Sequence, residues 1–295
     1  MTSPGRDPQP ARFGPLVDAR WLAANLASPG MRIIDFRWEL GRGSRHDLYL
    51  SGHLPGAVFV PLESVTGETG PGRHPLPAAA VFGAAMRSAG VDVDSRVVVY
   101  DASGGFSAAR LWWLLQHFGH HAVAVLDGGL PAWRGPLDSG EVDVQPGNFR
   151  ALEGRDDVVD ATRAARLRDD DVLLDARVAE RYRGDVEPVD PRAGHVPGAV
   201  NVPWGANLRA DQRFLDPGAL RALYEAAGVR AGRNTIVYCG SGITACVDLL
   251  GLAVAGHAPG LLYEGSWSDW STRPELPLAT GEAPGGNQPK GHQQE

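Results

Sequence analysis

Only two cysteines, Cys239 and Cys246, occur in 295 residues. Two thiols cannot build the disulfide framework of a small secreted domain, nor by themselves a four-ligand zinc site. One bridge between them is open in principle, but a reducing compartment keeps such thiols mostly free. Positive charge is scarce as well: 28 Lys and Arg against 35 Asp and Glu give a formal net charge of −7. Nucleic-acid binders usually present a basic face, so no nucleic-acid partner is expected, although a local basic pocket is compatible with this balance. No apolar run approaches the roughly 18–20 residues that span a bilayer, so no membrane partner is expected either. The stretch Met1 to Arg12 is rich in Pro, Gly and polar residues and lacks an apolar signal-peptide core. A cytoplasmic location is the resulting expectation. What remains is the composition of a globular protein, 43% hydrophobic and 21% charged, with length enough for two domains.

The chain repeats itself. Arg32-Ile-Ile-Asp35-Phe-Arg37 and Gly52-His53-Leu-Pro55-Gly56-Ala-Val58 return as Val172-Leu-Leu-Asp175-Ala-Arg177 and Gly194-His195-Val-Pro197-Gly198-Ala-Val200. Val97-Val-Val-Tyr100-Asp101 pairs with Thr235-Ile-Val-Tyr238-Cys239, and Leu126-Asp-Gly128 through Trp133 with Tyr263-Glu-Gly265 through Trp270. A period of about 140 residues is too long for a solenoid unit and fits a duplicated domain. The expected organisation is a first domain over 16–137, a polar linker over 138–157, a second domain over 158–279, and a Gly-, Pro- and Gln-rich tail over 280–295 without structure. Short β-branched runs (Ile33-Ile34, Val97–Val99, Val123–Leu126, Val172–Leu174, Thr235–Tyr238, Leu261–Tyr263) alternate with helical patterns at Val81–Ala89, Ser107–Phe118, Pro217–Ala227 and Thr244–Ala255. That alternation predicts an α/β fold: tandem domains, each a mostly parallel sheet with helices on both faces.

In such folds chemistry sits where strands end and helices begin. Cys239 follows an apolar strand, Gly240-Ser241-Gly242 come next, and Ile243-Thr244 lead into a helix. Glycines let the loop turn tightly, so that backbone N–H groups converge on the sulfur. Those donors and the helix N-terminus stabilise a negative charge there, and a thiolate is the reactive nucleophile. A structural cysteine is the alternative for a lone Cys after a strand; the Gly-Ser-Gly loop favours the nucleophile.

Cys239-Gly-Ser-Gly-Ile-Thr244-Ala245 resembles the active-site loop of 3-mercaptopyruvate sulfurtransferases of the rhodanese superfamily, which read Cys-Gly-Ser-Gly-Val-Thr. Thiosulfate sulfurtransferases usually carry charged residues after the cysteine. The resemblance extends from about Leu16 to Leu278, through Tyr100-Asp-Ala-Ser103, Phe118-Gly-His-His121-Ala-Val, Leu126-Asp-Gly-Gly-Leu130 and Gly265-Ser-Trp267. It implies two rhodanese domains of which only the second is catalytic, because Asp101 stands where Cys239 does. It further implies ping-pong sulfur transfer through a Cys239 persulfide, from 3-mercaptopyruvate or thiosulfate to a thiol, a thioredoxin-like protein or cyanide, with no metal or organic cofactor.

The same resemblance assigns helpers. Arg181-Tyr-Arg183-Gly184 matches a segment whose first arginine binds the substrate carboxylate, a role suited to a planar guanidinium. The family's second arginine falls on Asp190 here, which leaves Arg192 as the nearest candidate. A Ser–His–Asp relay maps onto Ser241, His74 and Glu63, with glutamate in place of aspartate. His53 and His195 recur in both halves and are expected to be structural, as are Trp112-Trp113. Cys246 is read as core, with a redox partner as the lesser alternative. A cysteine phosphatase would need Cys-x5-Arg, and the arginine position is Ala245. Two rivals remain: a thiosulfate:cyanide sulfurtransferase, and a sulfur-relay protein with a protein acceptor.

Overall fold

A computed structural model describes residues 13–285. The β-branched runs form two five-stranded sheets with the same strand order. In the first, Leu16–Val17, Val123–Leu126, Arg96–Tyr100, Met31–Asp35 and Val58–Phe59 lie side by side, all parallel. In the second, the order is Val158–Val159, Leu261–Tyr263, Asn234–Tyr238, Asp171–Asp175 and Ala199–Asn201, again all parallel. The central strand of each sheet is the one that leads into Asp101 or Cys239. Two-residue edge strands and the small hairpin of Trp38–Glu39 with Gly43–Ser44 are too short to show in the sequence pattern.

The repeated Asp-x-Arg motif has a structural cause. Arg37 donates to Asp35 and to Gly52 O, and Arg177 donates to Asp175 and to Gly194 O. Each buried pair ties a strand end to the Gly-His turn that follows it. His53 and His195 lie fully buried, stacked on Tyr49 and Tyr182, and each contacts the backbone oxygen of its tyrosine through Nδ1.

Helix Ala108–His117 of the first domain packs against helix Ala245–Ala255 of the second. Both are apolar nearly all round, as helices enclosed on every side must be, and one hydrophobic core runs continuously through the two domains. The domains therefore share one core, and Arg110, in the first turn of one helix, reaches Gly242 O just before the other.

The segment 138–157 carries no helix of its own, but it is pinned along the first domain. Asp138 bridges His53, the Gly147 N–H donates to Arg87 O, and Phe149 is buried against Phe82. Composition predicts no structure from Thr280 onward; the described part, 280–285, is instead paired. The Gly281 N–H donates to Arg183 O at 2.8 Å and Pro284 O accepts from the Gly198 N–H at 2.7 Å. Backbone groups beside the Gly194–Gly198 turn supply those partners, which composition cannot reveal. Residues 286–295, and the stretch 1–12, lie outside the described residues. Among the described residues no helix is long and apolar enough to cross a membrane.

Candidate active site

Cys239 follows the central strand Asn234–Tyr238 directly and is 1% exposed. The Gly242 N–H donates to its Sγ at 3.2 Å. Gly242 has φ +79, and a Cβ there would lie 2.8 Å from Glu264 O, so only glycine gives the loop this turn. The Gly265-Ser-Trp267 segment grips the loop from the other side. Ser266 Oγ accepts the Cys239 N–H at 3.1 Å, the Trp267 N–H donates to Cys239 O at 2.9 Å, and the Ser268 N–H donates to Gly240 O at 2.9 Å. Among the described residues, the N–H groups of Ser241, Ile243 and Thr244 donate to no protein acceptor.

The first domain shows what such a loop holds. The Asp101 carboxylate accepts the N–H groups of Ser103, Gly105, Ser107 and Ala108 at 2.8–3.0 Å. A built-in anion thus fills the cradle where the second domain has its sulfur. This equivalence supports an anion-stabilising role for the loop around Cys239.

Cys239, Gly240, Ser241, Ile243 and Thr244 line a cavity of about 210 Å³. Its apolar wall is aromatic and comes from both domains: Trp38 stacks on Phe106, whose ring meets Trp204 edge-on at 5.1 Å. Its polar rim holds Arg73 and Arg181. Arg181 donates to Glu187 at 2.6 Å and to Asp190 at 2.9 Å. The position where the resemblance places a second substrate arginine, Asp190, is therefore a carboxylate that binds the first one.

Ser241 and His74, from opposite domains, meet: Ser241 Oγ lies 2.8 Å from His74 Nδ1. Burial, with the cations Arg110 and Arg73 adding to it, holds His74 down to about 4, so its ring is neutral at physiological pH. Glu63 does not complete a relay. Its carboxylate accepts the backbone N–H of Ser44 at 3.2 Å and the Ser44 hydroxyl, and it makes no hydrogen bond to His74. The longer side chain reaches the hairpin instead.

Arg192 is corrected as a substrate ligand. Its guanidinium donates to the carbonyls of Trp270, Ser271, Arg273 and Leu276, closing the end of the helix Ser266–Trp270, away from the cavity. Cys246 is buried in the helix Ala245–Ala255, where burial pushes its thiol up to about 12. It donates weakly to Gly242 O at 3.4 Å, which fits the core reading.

Sequence reading missed three contributors. Arg110 is 1% exposed, has no carboxylate partner among the described residues, and donates to Gly242 O at 3.0 Å and to His74 O at 3.1 Å. Arg73 reaches Gly240 O at 3.3 Å. The aromatic wall is the third. Only the adjacency of Arg73 to His74 offered a hint; the others lie far from Cys239 in sequence. Among the described residues no group of three or more His, Cys, Asp or Glu is placed to hold a metal ion.

The rhodanese-like domain model matches residues 18–135 and 160–273. A putative thiosulfate sulfurtransferase, SseB, of Mycobacterium tuberculosis is 45% identical over 92% of this chain and 99% of its own length. The 3-mercaptopyruvate sulfurtransferase of Escherichia coli is 39% identical over 89% of this chain and 96% of its own. The crystal structure of SseA, a 3-mercaptopyruvate sulfurtransferase from Escherichia coli, superposes with a TM-score of 0.77 at 38% identity, covering 86% of this chain and 99% of that one. With a strand-end cysteine in the second of two matched domains and a carboxylate in its place in the first, the chain belongs to the rhodanese family as a two-domain sulfurtransferase.

Proposed function

We propose that the protein takes sulfur from 3-mercaptopyruvate onto Cys239 as a persulfide and passes it to a thiol, a thioredoxin-like protein or cyanide. The observation that carries this reading is the cavity itself. A nucleophilic sulfur within reach of a loop N–H lies beside guanidinium groups suited to a carboxylate and a hydroxyl suited to a keto oxygen. The match to a mercaptopyruvate enzyme over most of both chains supports the same donor.

In the first half-reaction the Cys239 thiolate attacks the donor's sulfur. A sulfur–sulfur bond forms and the carbon–sulfur bond breaks. Its electron pair moves onto the departing three-carbon fragment as an enolate, and protonation at carbon yields pyruvate. Neutral His74, with its proton on Nδ1, would donate to Ser241 Oγ. That leaves the serine proton free for the donor's keto oxygen, where negative charge develops. In the second half-reaction an acceptor thiolate attacks the outer sulfur, and Cys239 leaves as thiolate. The two free cysteines suit a reducing cytoplasm.

Mass spectrometry after incubation with mercaptopyruvate or thiosulfate tests the reading: one sulfur gained on Cys239 is expected, and no adduct with either donor would sink it. Initial rates with the two donors then fix the preference. Thiosulfate is the second reading, since Arg73 and Arg181 are cationic. Glu187 and Asp190, however, offset that charge where a dianion would need it.

Two predictions arise here. Arg181→Ala should raise the mercaptopyruvate KM at least about tenfold, the usual worth of a charge-assisted pair, and unchanged kinetics would remove Arg181 from the site. The second concerns pH. The folded value of His74, about 4, lies below its ordinary 6.5, so between these values the unfolded chain binds more protons. The contribution of His74 is complete above pH 6.5 and is lost as pH falls towards 4. Urea unfolding across that window should show a steeper loss for the native protein than for His74→Asn; parallel curves would contradict it. The acid limb of kcat/KM due to His74 should likewise lie near pH 4.

A further inference from the structure

Arg73 belongs to the first domain, yet its side chain ends in the cavity of the second. The loop that carries it is docked by backbone. A Cβ on Gly72 (φ +74) would lie 2.4 Å from Gly265 O, and the Arg73 N–H donates to Ser268 Oγ at 3.1 Å. From there the guanidinium pairs with Asp190 through Nη1 and donates to Gly240 O through Nη2. Asp190 is almost fully buried, its side chain 3% exposed, and its second oxygen accepts from Arg181. One carboxylate therefore bridges two guanidiniums that arrive from different domains.

Both groups converge on the residue next to the nucleophile. A Cβ on Gly240 would lie 3.2 Å from Arg181 Nη1 and 3.3 Å from Arg73 Nη2. Among the described residues Arg181 Nη1 donates to no protein acceptor, because its Nε and Nη2 serve Glu187 and Asp190. Two N–H-bearing edges thus face one spot beside Cys239, the arrangement that suits a carboxylate. A simple interdomain latch would not need the second arginine to point at the catalytic loop.

We propose that Arg73 is the second guanidinium that binds the donor's carboxylate, and that Asp190 is a positioning residue that holds it against Arg181. Asp190 also offsets one positive charge, which disfavours dianionic donors relative to a monocarboxylate. The inference rests on the reading of mercaptopyruvate as donor. It makes donor binding depend on both domains, whereas the nucleophile comes from one.

The test is steady-state transfer by the full chain, with pyruvate as a competing carboxylate that lacks the transferable sulfur. For Arg73→Gln the mercaptopyruvate KM and the pyruvate inhibition constant should rise together, about tenfold, with kcat within about twofold. Arg73→Lys should restore part of the loss, because the charge returns without the planar fork. Asp190→Asn should raise the ratio of kcat/KM for thiosulfate over mercaptopyruvate several-fold. If native enzyme is idle with mercaptopyruvate, the donor reading falls and this inference with it. If native enzyme is active and Arg73→Gln leaves both constants unchanged, or lowers only the melting temperature, the Arg73 assignment alone is overturned.

Discussion

Cys239→Ser should lose sulfur transfer by on the order of 10⁴-fold or more while keeping its fold. The exchange is nearly isosteric, and a serine oxygen can still accept the Gly242 N–H that now meets the sulfur. What disappears is the chemistry. A hydroxyl stays protonated where a thiolate forms, and oxygen cannot carry a sulfane sulfur through a persulfide. Intact-mass analysis after donor treatment should show no added sulfur, and the thermal midpoint should stay within a few degrees of the native one. Residual transfer at native rates would exclude Cys239 as carrier. Cys246 cannot stand in for it, since its buried thiol stays neutral and is bonded to Gly242 O.

Arg110→Met should produce the second-largest effect, and for a different reason. The side chain fills similar volume but has no donors, so His74 O would lose its donor and Gly242 O would keep only the weak contact from the Cys246 thiol. Each such loss costs about 1–3 kcal/mol. At roughly 2–4 °C per kcal/mol the melting temperature should fall by several degrees. The catalytic loop and the histidine segment would lose their common tether, and kcat should fall by about 10–100-fold. Arg110→Lys should not rescue it, because one ammonium lacks the fork that reaches both carbonyls. A third readout separates this from simple loosening. Arg110 is one of the cations that penalise protonated His74, so its removal should move the acid limb of kcat/KM upward from about pH 4. Native kcat, melting temperature and pH profile in Arg110→Met would contradict the assignment.

The duplicated domain, the parallel sheets and the place of Cys239 were legible because they rest on local pattern. β-branched runs make buried strands, and Gly-Ser-Gly between a strand and a helix makes a tight loop whose Gly242 N–H meets the sulfur. The repeated Asp-x-Arg and Gly-His pairs were legible as repeats, although their meaning as strand-to-turn ties required the distances. His74 was reachable only through the resemblance; nothing local marks it, and its bond to Ser241 spans the two domains. Glu63 and Arg192 show the opposite limit. Both occupy plausible sequence positions, yet Ser44 holds the Glu63 carboxylate, and the carbonyls at a helix end claim Arg192.

The sequence by itself pointed to the atom proposed to carry the chemistry, since a thiol with that loop and helix start is a local construction. Tertiary structure alone decided what surrounds it. Arg73, Trp38 and Phe106 come from the first domain and share a cavity with Cys239, and Arg110 reaches the loop at Gly242 O, because the helices Ala108–His117 and Ala245–Ala255 bury their apolar faces against each other. That packing is a non-local consequence of hydrophobic burial. It brings charges from the first domain to the sulfur of the second, and no spacing along the chain encodes it.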